Sequence, residues 1–329
     1  MARIPNNVKK LLVLFLPCLT AVLSAKLQRF EQTSPQMGAL FRIVLYEENE
    51  ISAQKAFQEA FKRVETLNSI LSDYQQDSEL SRLSKTAGSG MKVKVSRELW
   101  TVLRAAHEIS EASDGAFDVT VGPFARLWKL ARHKRQIPSP DRIARFRPAV
   151  DYQKIEFHQD EQAIRLLAPD MFIDLGGIAK GYAADEVLRT LESDGIKSAL
   201  VDAGGDIVLG DAPPGTEGWR IAIGGRRHPE LPTLKLSNCA VATSGDVEQF
   251  LEISGQNYSH IVDPRTGMGL TNRRQATIIA TTGMKADALA SAACILPFCS
   301  TDKLINSQPG VQAYLLEKTG KQTTLKKIP

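Results

Sequence analysis

The chain has 329 residues, enough for one large domain or two ordinary ones, and its 43% hydrophobic and 24% charged content excludes a disordered or fibrous protein. The formal net charge at pH 7 is +4, and three of the positive charges lie within the first ten residues, at Arg3, Lys9 and Lys10. The nearly neutral remainder gives no support for a nucleic-acid partner.

Residues 1–25 have the pattern of a signal peptide. Lys9 and Lys10 precede the apolar run LLVLFLPCLTAVL, and residues 23–25 (LSA) resemble a small-residue cleavage site. The run is too short for a comfortable transmembrane helix, and the Leu-Pro before Cys18 is a poor fit to a lipid-attachment motif. We therefore expect cleavage after Ala25 and export of one domain over residues 26–329. An uncleaved anchor is the alternative.

The first part of the mature chain alternates between turn, strand and helix patterns. The segment QTSPQ predicts a proline-containing turn, and residues 40–46 then predict a strand. Apolar residues recur every three to four positions from Ala53 to Leu71, which predicts a helix that ends before Tyr74. A second short turn opens at Ser78, and residues 96–112 predict a further helix.

The segment SDGAFDVTVGP is predicted to be a turn followed by a short strand. The SDG at residues 113–115 is a strong turn signal. Apolar and polar residues then alternate from Phe117 to Val121, which places Asp118 at the start of the strand. Residues 133–150 are basic and contain three prolines, so we interpret them as a surface excursion.

The stretch IDLGGIAKGYAAD, residues 173–185, combines β-prone residues, a glycine pair and the start of a helix near Lys180. This helix is expected to stop at Gly195. A strand, a glycine turn and a helix N-terminus form a place where backbone N–H groups can face a phosphate. Asp174 and Lys180 add charges to the same turn. The alternative is an ordinary strand–helix connection with a solvated lysine.

The rest of the chain predicts mainly sheet. ALVDAGGDIVLG predicts a hairpin, because the helix required after a nucleotide-binding glycine loop is missing. Further strands are expected in WRIAIGG, PTLKLSN, AVATSGD and ATIIATT, and a helix begins near Met284. The irregular alternation favours an α+β fold, with mixed or antiparallel sheets and flanking helices, over repeated βαβ units.

Four further side chains could carry chemistry. Asp287 and Ser291 are four residues apart on a predicted helix, so both project from one face as an oxygen pair suited to Mg²⁺. The alternative is an acid near a helix start with a buried serine behind it. His260 could act as a general base, although a lone histidine in a strand is more often structural. Tyr74 could stack on a planar ring or belong to the core.

Taken together, these stretches resemble the ApbE-type FAD:protein FMN transferases. The family's motifs occur in order over nearly all of the mature chain: MGALF, LSDYQQDSELSRL, SDGAFDVTVGP, IDLGGIAKGYAAD, VDAGGD, ATSGD, SHIVDPRTG and ADALASA. The resemblance implies an ApbE-like fold and a Mg²⁺-dependent reaction. In that reaction FAD is cleaved, FMN is joined through its phosphate to a threonine or serine hydroxyl of a target protein, and AMP leaves.

The resemblance also implies partners and a location. Targets in the family carry a Ser/Thr-Gly-Ala-Thr/Ser-like site on flavin-carrying electron-transfer subunits. Such subunits face outside the cytoplasm, so the expected location is the periplasm or the outer face of the cytoplasmic membrane.

The same resemblance implies roles for individual residues. It implies that FAD is contacted by Met37, Tyr74, Ala116, Phe117, Asp118, Asp174, Lys180 and Val262. It implies that the metal is held by the backbone carbonyl of Gly177 and the side chains of Asp287 and Ser291. Lys180 and Asp287 would then be catalytic, with His260 as the base for the target hydroxyl. Ala290 stands where some relatives carry an additional acid, which leaves room for a weaker or single-metal site.

Two other functions remain open on the sequence. A FAD pyrophosphatase would use the same metal site and release free FMN and AMP, with His260 activating water. A non-catalytic flavin-binding or flavin-delivery protein would bind FAD and leave it intact.

Overall fold

An irregular succession of strands and helices forms the fold. The computed structural model describes residues 26–224, 228, 231–245, 250–253, 255–319 and 322–329, so the predicted signal peptide lies outside the described residues. The helices are, in chain order, α1 (Glu50–Leu71), α2 (Glu79–Ser84), α3 (Arg97–Ala112), α4 (Gly122–Lys134), α5 (Pro140–Phe146), α6 (Ala179–Ser193), α7 (Gly283–Ile295) and α8 (Phe298–Asn306).

The strands outnumber the helices, and several are very short. In chain order they are β1 (Gln28–Gln36), β2 (Ala39–Glu47), β3 (Val93–Lys94), β4 (Ile155–His158), β5 (Ala163–Leu166), β6 (Ala199–Ala203), β7 (Ile207–Leu209), β8 (Trp219–Ala222), β9 (Thr233–Leu236), β10 (Cys239–Gly245), β11 (Phe250–Ile253), β12 (Gln256–Ser259), β13 (Val262–Asp263), β14 (Met268–Gly269), β15 (Arg273–Ala280), β16 (Gln312–Thr319) and β17 (Gln322–Ile328).

The largest sheet contains eight strands in the order β1-β2-β6-β7-β10-β15-β16-β17. Every neighbouring pair in it is antiparallel. The smaller pairings β3-β5-β4, β8-β9, β11-β12 and β13-β14 are antiparallel too. The fold is therefore α+β, as the irregular alternation of patterns predicts.

The main sheet is covered on both faces. Alternate residues of β2 point to opposite sides: Phe41, Ile43 and Leu45 join the core beneath the helices. Val44 instead packs with Trp219 in a separate apolar cluster beneath the β8–β9 hairpin. Helix α6 packs against both α1 and α7, and all three helices pack against the sheet on the first face. Helices α6 and α7 of this layer carry Lys180, Asp287 and Ser291, three of the residues to which the sequence assigns a role.

Helix α1 forms where the apolar stripe predicts it. Asn49 caps its N-terminus by accepting a hydrogen bond from the Ser52 N–H at 3.0 Å, an interaction that typically contributes about 1 kcal/mol. Its buried face packs on α6 and helps to fix that helix. The end of α1 at Leu71 leaves Tyr74 in the following turn, as predicted.

The turn expected at QTSPQ is wrong, because these residues belong to strand β1. Pro35 pairs with Leu40 across the β1–β2 hairpin. Strand β1 lies at the edge of the sheet, where a proline is tolerated since one side of the strand makes no ladder hydrogen bonds. The actual turn is the two residues Met37 and Gly38, both with positive φ (49° and 72°), as a tight hairpin requires.

The short strand predicted from Phe117 to Val121 is also wrong. The carboxylate of Asp118 accepts hydrogen bonds from the N–H and hydroxyl of Thr120, each at 2.7 Å, and so caps a single 3₁₀ turn over Val119–Val121. Pro123 then stands in the first turn of α4, where its missing N–H is not needed. Local capping therefore prevails over the alternating pattern.

The segment preceding α6 is irregular. Residues 172–175 form no strand within the described part of the chain, contrary to the strand predicted there. The helix itself begins at Ala179, and Gly195 follows its end with φ of 89°, so both predicted boundaries are confirmed. No helix among the described residues is long and apolar enough to cross a membrane.

Candidate active site

The centre of the site is the place where the N-terminal halves of α6 and α7 meet. A Cβ added to Gly283 would lie 2.5 Å from the carbonyl oxygen of Gly181, so the two backbones can approach only because both residues are glycine. Asp185 holds the start of α7 by accepting hydrogen bonds from the N–H groups of Gly283 and Met284, at 2.6 and 3.0 Å. This contact fixes the first turns of the two helices against each other.

Lys180 and two carboxylates meet at this crossing. The Lys180 ammonium donates directly to Asp206, which stands between β6 and β7, and lies 3.8 Å from Asp287 on α7. Asp287 also accepts a hydrogen bond from the N–H of Gly181 at 3.3 Å. The exposed fractions of Asp206 and Asp287 are only 4% and 3%. Two buried carboxylates therefore share one cation, which leaves one surplus negative charge.

Burial and the neighbouring charges both shift the pKa values of this cluster. Burial, and then the negative charge of Asp206, raise the pKa of Asp287 to about 7, although Lys180 and the Gly181 N–H act in the opposite direction. Burial alone would lower the pKa of Lys180, but Asp287 and Asp206 together raise it above its usual range. The lysine is thus a permanent cation, and the site lacks a second positive charge.

The predicted metal ligands are brought close together. Ser291 lies one helical turn after Asp287, with its hydroxyl 3.3 Å from the Ser244 hydroxyl. A Cβ on Gly177 would lie 2.9 Å from the Ser291 hydroxyl oxygen and 3.3 Å from the ring of Phe117. A larger residue at position 177 would therefore require the Ser291 hydroxyl to move.

The donor set fits Mg²⁺. A buried carboxylate, a hydroxyl and a backbone carbonyl are hard oxygen donors, and Mg²⁺ commonly uses few protein ligands together with substrate phosphate. No group of three or more His, Cys, Asp or Glu side chains suited to a metal occurs among the described residues. A metal bound here would accordingly depend on Asp287, on Ser291 and backbone oxygens, and on its substrate.

The predicted anion cradle before α6 is only partly available. The N–H of Gly176 already donates to the Asp174 carboxylate at 2.8 Å. The N–H groups of Ile178 and Ala179 donate to the carbonyl of Leu175, at 3.0 and 2.9 Å. These three donors are used within the turn, so the expectation that they face a phosphate is wrong. Lys180 remains the cationic element of this stretch.

A second group of charged and aromatic side chains surrounds Asp174. The Arg126 guanidinium lies 3.1 Å above the ring of Phe172. Burial, and then the negative charge of Asp174, raise the pKa of Asp73 to about 6. Burial raises the pKa of Asp174 as well. Two neighbouring carboxyl groups with raised pKa values beside one arginine suit a polar ligand that supplies hydrogen-bond donors.

Tyr74 does not belong to the core. Its side chain is 78% exposed, and the Lys129 ammonium lies 4.7 Å from its ring centroid. The alternative in which Tyr74 is an ordinary core aromatic is therefore excluded. An exposed ring next to Asp73 can stack on a planar group.

The neighbouring predicted flavin contacts are mostly buried. Ala116 and Phe117 are 0% and 6% exposed. The carboxylate of Asp118 is not free to bind a ligand, because it accepts hydrogen bonds from Thr120 and, at 2.9 Å, from the N–H of Tyr152. Burial raises the pKa of Asp118 to about 6 against these hydrogen bonds. This segment can therefore form a rigid wall of a ligand site, but it offers the ligand few free polar groups.

The remaining predicted residues lie on other elements. Met37 occupies the β1–β2 turn and lines a shallow depression with Asn68. Val262 is buried beside Trp128, so it can contribute packing to the wall of a site. His260 lies between β12 and β13 and is exposed. The β12–β14 segment is held by hydrogen bonds from Ser259 N–H to the Leu270 carbonyl (2.7 Å) and from Leu270 N–H to the Ile261 carbonyl (3.0 Å).

The sequence assigns no role to several charged residues of the site, among them Asp206, Asp185 and Arg126. Asp206 was visible as the final acid of VDAGGD, but only the β6–β7 hairpin shows that it meets Lys180. Asp185 ends IDLGGIAKGYAAD and could have been suspected from its place in that motif. Arg126 has no sequence signal, since its stacking on Phe172 joins segments that are distant in the chain.

Comparisons with known proteins agree with one another. The model of the ApbE family matches residues 37–315. A FAD:protein FMN transferase from Treponema pallidum is 30% identical over 311 residues, covering 89% of this chain and 85% of that protein. One from Vibrio cholerae is 32% identical over 276 residues, covering 80% of each.

Solved structures agree in fold. The apo form of the Pseudomonas stutzeri flavinyl transferase ApbE has a TM-score of 0.81 at 25% identity, covering 92% of this chain and 95% of that one. The ApbE protein from Thermotoga maritima has a TM-score of 0.81 at 27% identity, covering 91% and 97%.

Proposed function

Because this chain belongs to the ApbE family, we propose that it is a Mg²⁺-dependent FAD:protein FMN transferase. It cleaves the pyrophosphate of FAD, attaches FMN through a phosphoester bond to a threonine or serine of a target protein, and releases AMP. The target carries a Ser/Thr-Gly-Ala-Thr/Ser-like site on an exported, flavin-carrying electron-transfer subunit. The enzyme itself is exported and acts in the periplasm or at the outer face of the cytoplasmic membrane.

The observation that carries the proposal is the shared lysine. Lys180 lies between the buried carboxylates of Asp206 and Asp287, so a cation is fixed at a place with one uncompensated negative charge. A divalent metal held at such a place would supply positive charge beside Lys180 for the pyrophosphate. An ordinary solvated lysine would have neither buried partner.

Four of the predicted residues have distinct parts in the transfer. Lys180 neutralises the charge that develops on the phosphate oxygens as the bond to AMP breaks. His260 is exposed, so a hydroxyl on another protein can reach it, and it takes the proton as the oxygen attacks the FMN phosphorus. The new P–O bond joins FMN to the target, and AMP leaves with the oxygen of the broken pyrophosphate bond. Tyr74 and Asp174 orient the flavin nucleotide.

Mg²⁺ would be held by Asp287, Ser291 and the Gly177 carbonyl, where it supplies charge neutralisation for the pyrophosphate. The protein's own contribution is to keep these three oxygen donors close together. Gly177 permits the close backbone approach, and the hydrogen bond from Gly181 orients the Asp287 carboxylate. Phosphoryl transfer requires mainly this kind of positioning and charge stabilisation.

The direct test mixes purified protein, FAD, Mg²⁺ and a target that carries a Thr-Gly-Ala-Thr site. A mass gain equal to FMN on the target is expected, together with free AMP. The same target with its acceptor threonine replaced by alanine should gain no mass. Free FMN without labelled target would indicate a pyrophosphatase, and intact FAD in both samples would indicate flavin binding alone.

A further inference from the structure

We propose that the groove between α5 and the β13–β14 turn is the docking surface for the target protein, and that the segment it receives carries acidic residues beside the acceptor hydroxyl. This inference rests on the proposed function, because it identifies where the target of that reaction binds. Neither the residues assigned to FAD nor those assigned to the metal line this groove.

The groove is apolar and open. Its volume is about 690 Å³, and it is lined by Ile137, Pro138, Ile143, Ala144, Thr266 and Met268, among others. Ile137 is 39% exposed, so part of its side chain is open to a ligand in the groove. A volume of this size can accommodate a few residues of an extended peptide.

The surroundings of the groove are strongly basic. Residues 134–145, which border the groove, contain four Lys and Arg and a single acid, Asp141, although the whole chain carries only +4. Lys134, Arg135, Arg142 and Arg145 are exposed, and no carboxylate of the described residues forms an ion pair with any of the four. Elsewhere in the molecule, cations such as Arg63 and Lys180 lie against carboxylates. Uncompensated positive charge around an apolar groove favours an acidic partner segment.

The groove is rigidly connected to the segment that carries His260. The Arg147 guanidinium donates to the Pro264 carbonyl at 2.7 Å, and the Trp128 indole N–H donates to the Gly267 carbonyl at 2.9 Å. These bonds join α4 and the end of α5 to the β13–β14 turn. Thr266 at the tip of that turn lies six residues from His260, which corresponds to at most about 20 Å of extended chain.

The position of the groove matches the reaction. The target hydroxyl must reach an exposed histidine, so the residues next to it in the target have to lie against the surface beside His260. A small-residue acceptor such as Thr-Gly-Ala-Thr offers little apolar area and no charge of its own. Specific binding therefore needs flanking residues, which can contact the apolar groove and the exposed cations beside it.

The test uses two acceptor peptides that share a central Thr-Gly-Ala-Thr and differ only in flanking aspartates or flanking lysines. The variant Arg142→Glu/Arg145→Glu changes two exposed cations of α5. A matched control, Lys55→Glu/Lys62→Glu, makes the same change of charge on the exposed face of α1. FMN attachment is followed by mass, peptide binding by fluorescence anisotropy, and FAD binding by flavin fluorescence.

The unchanged protein and the control should modify the aspartate peptide with at least tenfold higher kcat/KM than the lysine peptide. This preference should shrink as salt is raised. In the α5 variant, kcat/KM for the aspartate peptide should fall at least tenfold and kcat/KM for the lysine peptide should rise, while the affinity for FAD stays unchanged. Ile137→Ser should weaken the binding of both peptides several-fold.

Equal kcat/KM for the two peptides, or equal losses in the α5 variant and the control, would overturn the docking surface and leave the transferase function intact. Absence of FMN transfer by the unchanged protein to either peptide, with FAD hydrolysed to free FMN, would overturn the transferase function itself.

Discussion

The ammonium group of Lys180 donates to the carboxylate of Asp206, although Asp287 is also within reach at 3.8 Å. This pairing keeps the lysine from neutralising Asp287 completely. Under the proposed function, the Asp287 carboxylate is then available to a metal, and Lys180 keeps ammonium hydrogens for a phosphate. Asp206 thus determines where the Lys180 ammonium group lies relative to Asp287.

We expect Asp206→Asn to raise the Mg²⁺ requirement of the enzyme. Without the Asp206 charge, Lys180 moves closer to Asp287 and competes with the metal for that carboxylate. The Mg²⁺ concentration for half-maximal activity should rise at least tenfold, with much of the activity recovered at saturating Mg²⁺. The increase in melting temperature on addition of Mg²⁺ should shrink in parallel.

Asp202→Asn is the matched control, because Asp202 lies on the same hairpin but pairs with Arg42 at 3.3 Å. It should leave the Mg²⁺ requirement unchanged. If the Asp206 variant loses activity that saturating Mg²⁺ does not restore, and if its Mg²⁺ requirement is unaltered, then Asp206 has a merely structural role.

Gly177→Ala should impair metal binding more than folding. The added Cβ would lie 2.9 Å from the Ser291 hydroxyl, so that hydroxyl has to move away, and the crowding should cost about 1–3 kcal/mol of unfolding free energy. Titration with Mn²⁺ followed by electron paramagnetic resonance measures the loss of affinity directly. Ser291→Thr keeps the hydroxyl and should bind the metal, whereas Ser291→Ala should weaken binding; equal affinities for these two variants would contradict the assignment.

His260→Asn should abolish most of the transfer and leave FAD binding intact. A general base contributes about 10²–10⁴-fold to a rate, so a fall of that order in FMN attachment is expected. The side chain is exposed, and its loss should change the melting temperature little. Should FAD affinity fall as much as the rate, His260 would be a binding residue and another group would have to serve as the base.

Tyr74→Ala should lower the affinity for FAD without destabilising the protein. The ring is 78% exposed, so its removal should change the unfolding free energy by less than about 0.5 kcal/mol. Lost stacking of about 0.5–1.5 kcal/mol corresponds to a few-fold weaker binding, measurable by flavin fluorescence. Tyr74→Phe retains the ring and should bind nearly as well; loss of binding in that variant would point to the hydroxyl.

Asp185 should make the protein less stable as pH rises from about 4 to about 6. Burial raises the pKa of this carboxyl to about 6 despite its hydrogen bonds from Met284 and Gly283, whereas an unfolded aspartate titrates near 3.9. Between these values the folded state binds more protons than the unfolded state, so the unfolding free energy falls with pH and then levels off. The contribution is on the order of 3 kcal/mol.

Urea denaturation at a series of pH values measures this slope. Asp185→Asn should reduce the fall of unfolding free energy with pH between pH 4 and 6 by the amount that corresponds to about one bound proton. Asp160→Asn, at an exposed position, should leave this pH dependence unchanged. An identical slope in the unchanged protein and the Asp185 variant would contradict the assignment.

The sequence predicted much of the fold because local signals determine it. The apolar stripe predicted α1, Ser78 and Ser96 cap the helices they were expected to open, and the glycine pair of VDAGGD forms the predicted hairpin. The failures are also local. Pro35 suggested a turn where the chain forms an edge strand, and the side-chain hydrogen bonds of Asp118 turned an apparent strand into a 3₁₀ turn.

The site was predictable only in its residue types. A carboxylate and a hydroxyl on one face of α7 follow from helical spacing, and the structure places both near α6. The partnership of Lys180 with Asp206 could not be derived, because no pattern indicates which strand end meets which helix. Nor does spacing reveal that the Gly176 N–H group is already used by Asp174.

The meeting of α6 and α7 has a consequence for how the chain folds. Gly181 and Asp287, which share a hydrogen bond, are 106 residues apart, and strands β6, β7, β10 and β15 form between them. Closing so long a loop is entropically unfavourable until those strands have paired. The crossing of α6 and α7 therefore forms only after the middle of the sheet is complete, and a chain interrupted in that region should bind neither metal nor flavin.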